Sequence, residues 1–167
     1  MTKSQAAPAP VIAENIRRAI EDLIYDCAHA IDDDRLEDWP KFFTADCHYE
    51  IIARENYARG HTVGIMTCTS RGMLEDRVLA ARKANIYEPH VYRHLVSAVR
   101  VRAAANGVYS VESGYAVVRT MQEGDVSIFS AGKCIDEIVF ANGAPRFKSR
   151  KVICDSARIH TLIVFPI

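Results

Sequence analysis

Residues 99–120 read VRVRAAANGVYSVESGYAVVRT, and residues 136–153 read DEIVFANGAPRFKSRKVI. In each stretch an Asn-Gly pair, at 106–107 or 142–143, separates two runs rich in β-branched and aromatic residues. Such a pair predicts a tight hairpin turn, because both central residues of a type I′ turn need positive φ. With a third turn at residues 123–125, the sequence predicts four strands joined as an antiparallel meander. These strands are His90–Arg102, Val108–Met121, Val126–Phe140 and Pro145–His160.

The first half of the chain has helical periodicity instead. Over Val11–Ile31 apolar residues recur at spacings of three and four, which predicts one amphipathic helix. Its apolar side consists of Ile12, Ile16, Ile20, Leu23, Ile24, Cys27, Ala30 and Ile31. Asp34 followed by Glu37 is typical of a capping box and predicts a second helix, which Pro40 keeps short. Its buried side is expected to be Leu36, Trp39, Phe42 and Phe43.

A strand is expected over Cys47–Arg54, followed by a third helix that starts after Ser70 and ends near Asn85. The residues that indicate this helix are Met73, Leu74, Arg77, Val78 and Ala81. Helices followed by an antiparallel meander indicate the α+β class, with the helices packed on one face of a curved sheet. This arrangement resembles the conical fold of nuclear transport factor 2 and ketosteroid isomerase.

Composition narrows the class of protein further. The 167 residues carry 21 Lys and Arg against 21 Asp and Glu, so net charge gives no reason to expect nucleic acid binding. Five cysteines without a C-x-x-C pair are predicted to be buried thiols in a reducing compartment. No secretory signal and no membrane-spanning apolar run is recognisable, so a cytoplasmic location is expected.

The two ends of the chain differ in character. Residues 1–10 are rich in Ala and Pro and are expected to form a flexible tail, with residues 11–167 as a single domain. Six of the seven residues Thr161–Ile167 are apolar. Because such a segment must be covered, we expect it either to pack on its own sheet or to enter a subunit interface.

Metal sites find little support in the spacing of candidate ligands. Cys27-x-His29 matches half of a Rieske iron-sulfur site, but no C-x-x-H follows Cys47 or Cys154. Glu88, His90 and His94 are the other candidates. In an extended strand the two histidines would lie about 13 Å apart, too far for one ion. We therefore expect no metal in this chain.

Acid-base catalysis would need a carboxylate near a histidine or tyrosine, and His94, Tyr115, Asp136 and Asp155 all fall in predicted strands. The structural alternative is that the two aspartates pair with Arg or Lys on adjacent strands, while His94 and Tyr92 form hydrogen bonds in the sheet or at an interface. We favour this alternative, because the spacing of these residues is not that of a known catalytic motif. Strand alternation places Arg100 and Arg102 on one face and Arg93 on the other.

Three segments carry a resemblance to a known family: Asp33–Ile51 (DDRLEDWPKFFTADCHYEI), Ala84–Ser97 (ANIYEPHVYRHLVS) and Lys151–Ser156 (KVICDS). They resemble the small, or beta, subunit of the aromatic-ring-hydroxylating dioxygenases, over nearly everything after Ile12. The run at 85–88 before Tyr92-Arg93-His94 is similar to the subgroup acting on aromatic carboxylates such as terephthalate, anthranilate and salicylate.

The resemblance implies a non-catalytic structural subunit with the conical fold and no cofactor of its own. The Rieske cluster and the mononuclear non-heme iron would lie in the large subunit, with three large and three small subunits and a separate reductase. The small subunits would organise the large ones. Candidate interface residues are Trp39, Tyr92, Arg93 and His94, with a core position equally open for Trp39. The competing hypotheses are a free-standing isomerase or dehydratase, and a small-ligand binding protein.

Overall fold

The computed structural model describes residues 11–61, 64–84, 87–156 and 163–167. The predicted tail at residues 1–10 lies outside these ranges. The helices are α1 (Glu14–Asp32), α2 (Arg54–Ala58), α3 (Arg71–Lys83) and a 3₁₀ helix at Trp39–Phe42. The strands are β1 (Phe43–Ala53), β2 (Met66–Cys68), β3 (His90–Ala105), β4 (Val108–Met121), β5 (Val126–Ala141) and β6 (Ala144–Cys154).

One six-stranded sheet has the order β2-β1-β6-β5-β4-β3. Every neighbouring pair is antiparallel except β1 and β6, which run parallel. The Asn106-Gly107 and Asn142-Gly143 turns both adopt positive φ, at 51° and 76° and at 51° and 79°. The predicted meander is therefore confirmed, and its hairpins form for the expected reason.

Helix α1 lies against the sheet with the predicted stripe facing inward. Its buried residues are Ile20, Leu23, Ile24, Cys27, Ala28, Ala30 and Ile31. The helix begins at Glu14 and continues through Asp32, one residue beyond the predicted end. Helices packed on one face of a mainly antiparallel sheet confirm the predicted α+β class.

The predicted capping box at Asp34 and Glu37 is wrong. Asp34 has a left-handed backbone with φ of 56°, and a short 3₁₀ helix starts only at Trp39. Both carboxylates instead bind Arg82 of α3, at 2.7 Å for Asp34 Oδ1 and 2.8 Å for Glu37 Oε1. The two acids thus join this turn to α3 rather than starting a helix.

Helix α3 follows the prediction at its start, where the Ser70 hydroxyl accepts a hydrogen bond from the Met73 amide. Its buried residues are Leu74, Val78 and Ala81, while Met73 is exposed. The helix ends at Lys83, and Asn85 lies outside the described residues. Helix α2 and strand β2 are additions that the sequence did not reveal, because five and three residues are too few for a periodic pattern.

Two strand boundaries differ from the prediction. Strand β1 begins at Phe43, four residues before the expected Cys47. Strand β6 ends at Cys154, before the expected His160: its last partner pair is Gly132 with Cys154, and the Asp155 amide makes one further hydrogen bond, to the Ala131 carbonyl at 2.9 Å. Residues 157–160 lie outside the described ranges.

A bulge in β3 overturns the predicted faces of its arginines. The register with β4 shifts between Ser97 and Arg100, and Ala98 adopts a φ of 50°. This shift inverts the alternation of side chains. Arg93, Arg100 and Arg102 therefore all lie exposed on the same, outer face of the sheet.

The apolar segment at the end of the chain packs on its own core in residues 163–167, all of which are buried. The Tyr49 hydroxyl accepts a hydrogen bond from the Ile167 amide and donates one to the Ile167 carbonyl, each at 3.0 Å. Of the two alternatives expected from the sequence, residues 163–167 therefore pack on their own domain. Among the helices described, none is long and apolar enough to cross a membrane.

Candidate functional site

The inner face of the sheet holds a buried ion pair. Asp136 of β5 and Arg150 of β6 are direct partners in the ladder, with 3.6 Å between Oδ2 and Nη1. The guanidinium also lies 4.8 Å over the Phe147 ring, and its Nη2 donates to Cys134 Sγ at 3.5 Å. Burial raises the pKa of Asp136 to about 6, against the opposing effect of Arg150. The predicted pairing of Asp136 with a cross-strand base is confirmed.

The five cysteines are free and buried, as predicted. Burial raises the pKa of Cys27 to about 12 and that of Cys134 to about 11, so both thiols stay protonated at neutral pH. Cys27 faces the core, whereas His29 two residues later is exposed. These two residues therefore do not form half of a cluster site.

Tyr115 belongs to a hydrogen-bond network inside the sheet. Its hydroxyl lies 2.9 Å from Ser130 Oγ and donates to Cys154 Sγ at 3.2 Å. Burial raises the pKa of Tyr115 well above its ordinary value. Asp155 lies apart from this interior: it is exposed and pairs with Arg54 at 3.3 Å. The acid-base candidates are thus dispersed and each is bound to a neighbour.

A second cluster joins the end of α1 to strand β3. His94 Nδ1 donates to Asp32 Oδ1 at 2.6 Å, and the His94 amide donates to Asp32 Oδ2 at 2.9 Å. The Arg93 guanidinium lies 3.8 Å from the same carboxylate. The His94 side chain is buried, and its Nε2 has no hydrogen-bond partner. Chemically, this Asp-His pair with an open Nε2 is able to accept a proton or a hydrogen bond.

An open cleft of about 410 Å³ lies beside this cluster, between the end of α1, the start of β3 and Phe165. Tyr87, His90, Tyr92 and Phe165 form its walls, and Asp32 and Asp34 are its charged residues. Burial raises the pKa of Tyr92 above its ordinary range. We call this feature the aromatic cleft.

The structure separates the four interface candidates. Arg93 and His94 contact Asp32, and Tyr92 lines the same cleft, but only Arg93 among the four has an exposed side chain. Tyr92 is 4% exposed and stacks on Phe129 with ring centroids 5.1 Å apart.

Trp39 lies elsewhere, in the core. It is 1% exposed and packs edge-on against Phe43 and Tyr49, with centroids 5.5 and 5.1 Å apart. Of its two open alternatives, the structure supports the core position.

Metal-ligand candidates do not converge in the ranges that the structure covers. Within those ranges no group of three His, Cys, Asp or Glu side chains could hold an ion. His90 Nδ1 donates to the Glu88 carbonyl at 2.7 Å, while His94 binds Asp32. The two histidines thus serve separate contacts.

Two residues that organise these clusters escaped the sequence analysis, Asp32 and Arg150. Asp32 lies one helical turn after the buried Ala28, on the apolar side of α1. This position is the sequence signal that could have identified Asp32 as a buried charge. Arg150 alternates with Val152 and Cys154 along β6, and this spacing marks it as an inward-facing charge.

Comparison with known proteins identifies the family. Residues 27–161 match the family described as Ring hydroxylating beta subunit. The anthranilate 1,2-dioxygenase small subunit of Burkholderia cepacia is 45% identical over 137 residues, which cover 82% of this chain and 85% of that subunit. The terephthalate 1,2-dioxygenase terminal oxygenase component subunit beta 1 of Comamonas sp is 36% identical over 84% of this chain and 91% of its own length.

A solved structure from Novosphingobium aromaticivorans, assigned as the beta subunit of an aromatic-ring-hydroxylating dioxygenase, shares the fold. Its TM-score is 0.86 at 41% identity, and the match covers 94% of this chain and 100% of the solved chain. The resemblance and the conical fold expected from the sequence are both confirmed. The protein described here belongs to the ring-hydroxylating beta subunit family and is the small subunit of an aromatic-ring-hydroxylating dioxygenase.

Proposed function

We propose that this small subunit is a non-catalytic, structural component that organises the iron-containing large subunits of an oxygenase acting on an aromatic carboxylate. The substrate class is inferred from the relatives, whose names give anthranilate and terephthalate; salicylate is of the same class. A Rieske cluster and a mononuclear non-heme iron would be held by the large subunit. Three large and three small subunits would form the assembly in the cytoplasm, with electrons from a separate reductase.

The observation that supports this proposal is that the candidate acid-base residues are already bound to neighbouring side chains. Tyr115 is bound to Ser130 and Cys154, Asp136 to Arg150, and Asp155 to Arg54. A catalytic acid or base must instead reach a substrate proton, directly or through one water. Tyr115 and Asp136 are therefore occupied by contacts inside the sheet, and Asp155 by an ion pair at the surface.

Scaffolding also fits what a two-centre oxygenase requires. Electron transfer between an iron-sulfur cluster and an iron centre on a neighbouring subunit needs a fixed geometry, which a ring of small subunits provides. On this chain we assign Arg93 to the interface, because it is exposed and is anchored near Asp32. Arginine is enriched among the residues that dominate interface energies.

The test is a gentle affinity purification of the full chain from its source cells. The eluate is assayed for a second polypeptide, iron and acid-labile sulfide. We expect a larger, iron-containing partner in equal amounts, and no oxidation of aromatic acids by the small subunit alone. Recovery of this chain alone, without iron, would contradict the proposal.

A matched pair of variants tests the interface. Arg93→Glu should reduce recovery of the large subunit, because it reverses a charge at the proposed contact. Arg102→Glu is the control, since Arg102 is also an exposed arginine of β3 and forms a local ion pair with Glu112 at 3.4 Å. Equal recovery with both variants would remove Arg93 from the interface.

One observation favours a second candidate, a free-standing isomerase or dehydratase. The Asp32-His94 pair with an open Nε2 is the arrangement of a general base. This candidate predicts that the isolated chain exchanges or eliminates protons on a small substrate, and that His94→Ala abolishes the reaction while Asp155→Asn retains it. The third hypothesis, a small-ligand binding protein, predicts a raised melting temperature with aromatic acids.

A further inference from the structure

The outer face of the sheet carries exposed apolar side chains on β3 and β5. Val91 and Leu95 of β3 are 60% and 54% exposed. Val126 and Ile128 of β5 are 66% and 72% exposed. Single apolar side chains are common on protein surfaces, whereas a contiguous group of large ones marks a contact surface. Whether these four residues are contiguous therefore decides their meaning.

The strand register shows that they are neighbours. Arg93, Val118 and Ile128 are direct partners across β3, β4 and β5, where strands lie about 4.8 Å apart. The rows on either side are two residues away along each strand, so their side chains point to the same face. We call this group the outer patch. Its members are Val91, Arg93, Leu95, Val118, Val126 and Ile128.

The other half of the outer face is covered by the chain itself. Helix α2 contacts β1 and β6, and Lys151 Nζ of β6 lies 5.5 Å from the centre of the Tyr57 ring of α2. The outer patch lies on β3, β4 and β5, away from this helix. Its apolar side chains are thus left for another chain to cover.

Arg93 decides what kind of surface can cover the outer patch. The Asp32 carboxylate accepts two hydrogen bonds from His94, and Arg93 Nη1 lies 3.8 Å from it, beyond hydrogen-bond length. A guanidinium has several N–H donors, so Arg93 retains donors for a second carboxylate.

A second copy of the outer patch offers no such carboxylate. Arg93 is the one charged member, so two patches placed face to face would set it against an apolar side chain or against the other Arg93. Either arrangement buries a charge without a counter-charge, which is costly. The outer patch therefore suits a different surface, one that is apolar around an acidic side chain.

We propose that the outer patch docks on the large oxygenase subunit, with an Asp or Glu of that subunit opposite Arg93. Apolar side chains of the large subunit would cover Val91, Leu95, Val126 and Ile128. This inference rests on the proposed function, which assigns Arg93 to the contact with the large subunit. A stable interface buries roughly 800 Å² on each partner, so an interface that includes Arg93 also covers its neighbours in the patch.

The test measures the affinity of the full small subunit for the purified large subunit by sedimentation. Ile128→Glu should weaken binding by about tenfold or more, because it places a charge among apolar contacts. Ile128→Leu keeps the apolar contact and should bind within a few-fold of wild type. The matched control is Ile65→Glu, since Ile65 is 48% exposed and precedes β2 at the opposite edge of the sheet. It should bind like wild type.

Arg93→Met tests the carboxylate. It keeps an apolar stem without the charge, so it should weaken binding and also make the affinity less dependent on salt than in wild type. Ile128→Leu should keep the salt dependence of wild type. Melting curves of each isolated variant show that the fold is retained.

The other outcomes overturn the inference in distinct ways. Wild-type binding by Ile128→Glu, or equal weakening by Ile65→Glu, excludes the outer patch as the docking surface, and the proposed function stands if Arg93→Glu still reduces recovery. Unchanged salt dependence in Arg93→Met excludes an acidic partner for Arg93. Loss of self-association by Ile128→Glu with unchanged affinity for the large subunit identifies a second copy of this chain as the occupant. Failure of the wild-type chain to bind the large subunit overturns the proposed function, and the inference with it.

Discussion

Asp136 and Arg150 face each other across β5 and β6 with both side chains buried and 3.6 Å between Oδ2 and Nη1. At pH 7.5, Arg150→Met should lower the free energy of unfolding by about 3–5 kcal/mol, because it leaves the Asp136 carboxyl group buried without its counter-charge. The double variant Asp136→Leu, Arg150→Met should lose less than the sum of the two single changes.

Chemical denaturation of each variant measures these values. The control is Arg102→Met, which breaks an exposed pair and should change stability by less than about 0.5 kcal/mol. Strict additivity of the two buried changes would show that the side chains act independently.

The pH dependence of stability follows from the raised pKa of Asp136, about 6 in the folded chain against an ordinary value near 3.9. Between these values the folded chain binds this proton more tightly than the unfolded chain does. The stabilisation linked to the proton is present below about pH 4 and is lost as the pH rises through about 6.

Asp136→Asn removes this titration. Unfolding free energies of wild type and variant, measured across about pH 4 to 7, should therefore diverge in slope, with wild type falling more steeply. Parallel curves would mean that Asp136 titrates alike in the folded and unfolded chain.

The five buried thiols should be protected from reagents. Folded protein at pH 8 should react with a disulfide reagent far more slowly than protein in denaturant, which should expose all five cysteines. Absorbance during the reaction gives the count. Rapid modification of one thiol in the folded protein would reveal local opening of the sheet.

Gly132 and Gly72 differ in the space around them. A Cβ at Gly132 would overlap the Ile153 carbonyl oxygen of the adjacent strand, so Gly132→Ala should prevent normal folding or destabilise it strongly. At Gly72, in the first turn of α3, the nearest atom is 3.8 Å away. Gly72→Ala should therefore raise the unfolding free energy by about 0.4–1 kcal/mol. Thermal unfolding checks both, and similar results for the two would contradict the packing at Gly132.

Tyr49→Phe tests the attachment of residues 163–167 to the core. It removes both hydrogen bonds to Ile167 and leaves that backbone amide and carbonyl buried, which should cost about 1–3 kcal/mol. Denaturant unfolding measures the loss, with the exposed Tyr25→Phe as control. An unchanged midpoint would show that the segment is held by apolar packing alone.

Local signals predicted the parts of the fold that depend on neighbouring residues. The Asn-Gly turns formed because two adjacent residues set the backbone, and the stripe of α1 faces inward because its spacing is intrinsic to a helix. The capping box predicted from Asp34 and Glu37 was wrong because their actual partner, Arg82, is 45 or more residues away in the sequence. A capping pattern and a tertiary ion cluster use the same residue types.

Two β-bulges explain why strand alternation alone did not predict the contacts of the candidate site. Counting outward from Asn142-Gly143 pairs Asp136 with Ser149, and the register shift after Glu137 brings Arg150 opposite instead. The bulge at Ala98 likewise reversed the faces of the β3 arginines. The contact between Asp32 and His94 spans 62 positions of the chain, so no local pattern could reveal it.

Strand β3 ends the sheet, and three of its features hinder addition of a strand from another molecule. Asp32 occupies the amide of His94, the bulge at Ala98 breaks the regular edge, and exposed arginines flank it. We therefore expect that small subunits made in excess of their partners persist as soluble, assembly-competent chains rather than as β-sheet aggregates. Synthesis of the two subunits would then tolerate an imbalance in their expression.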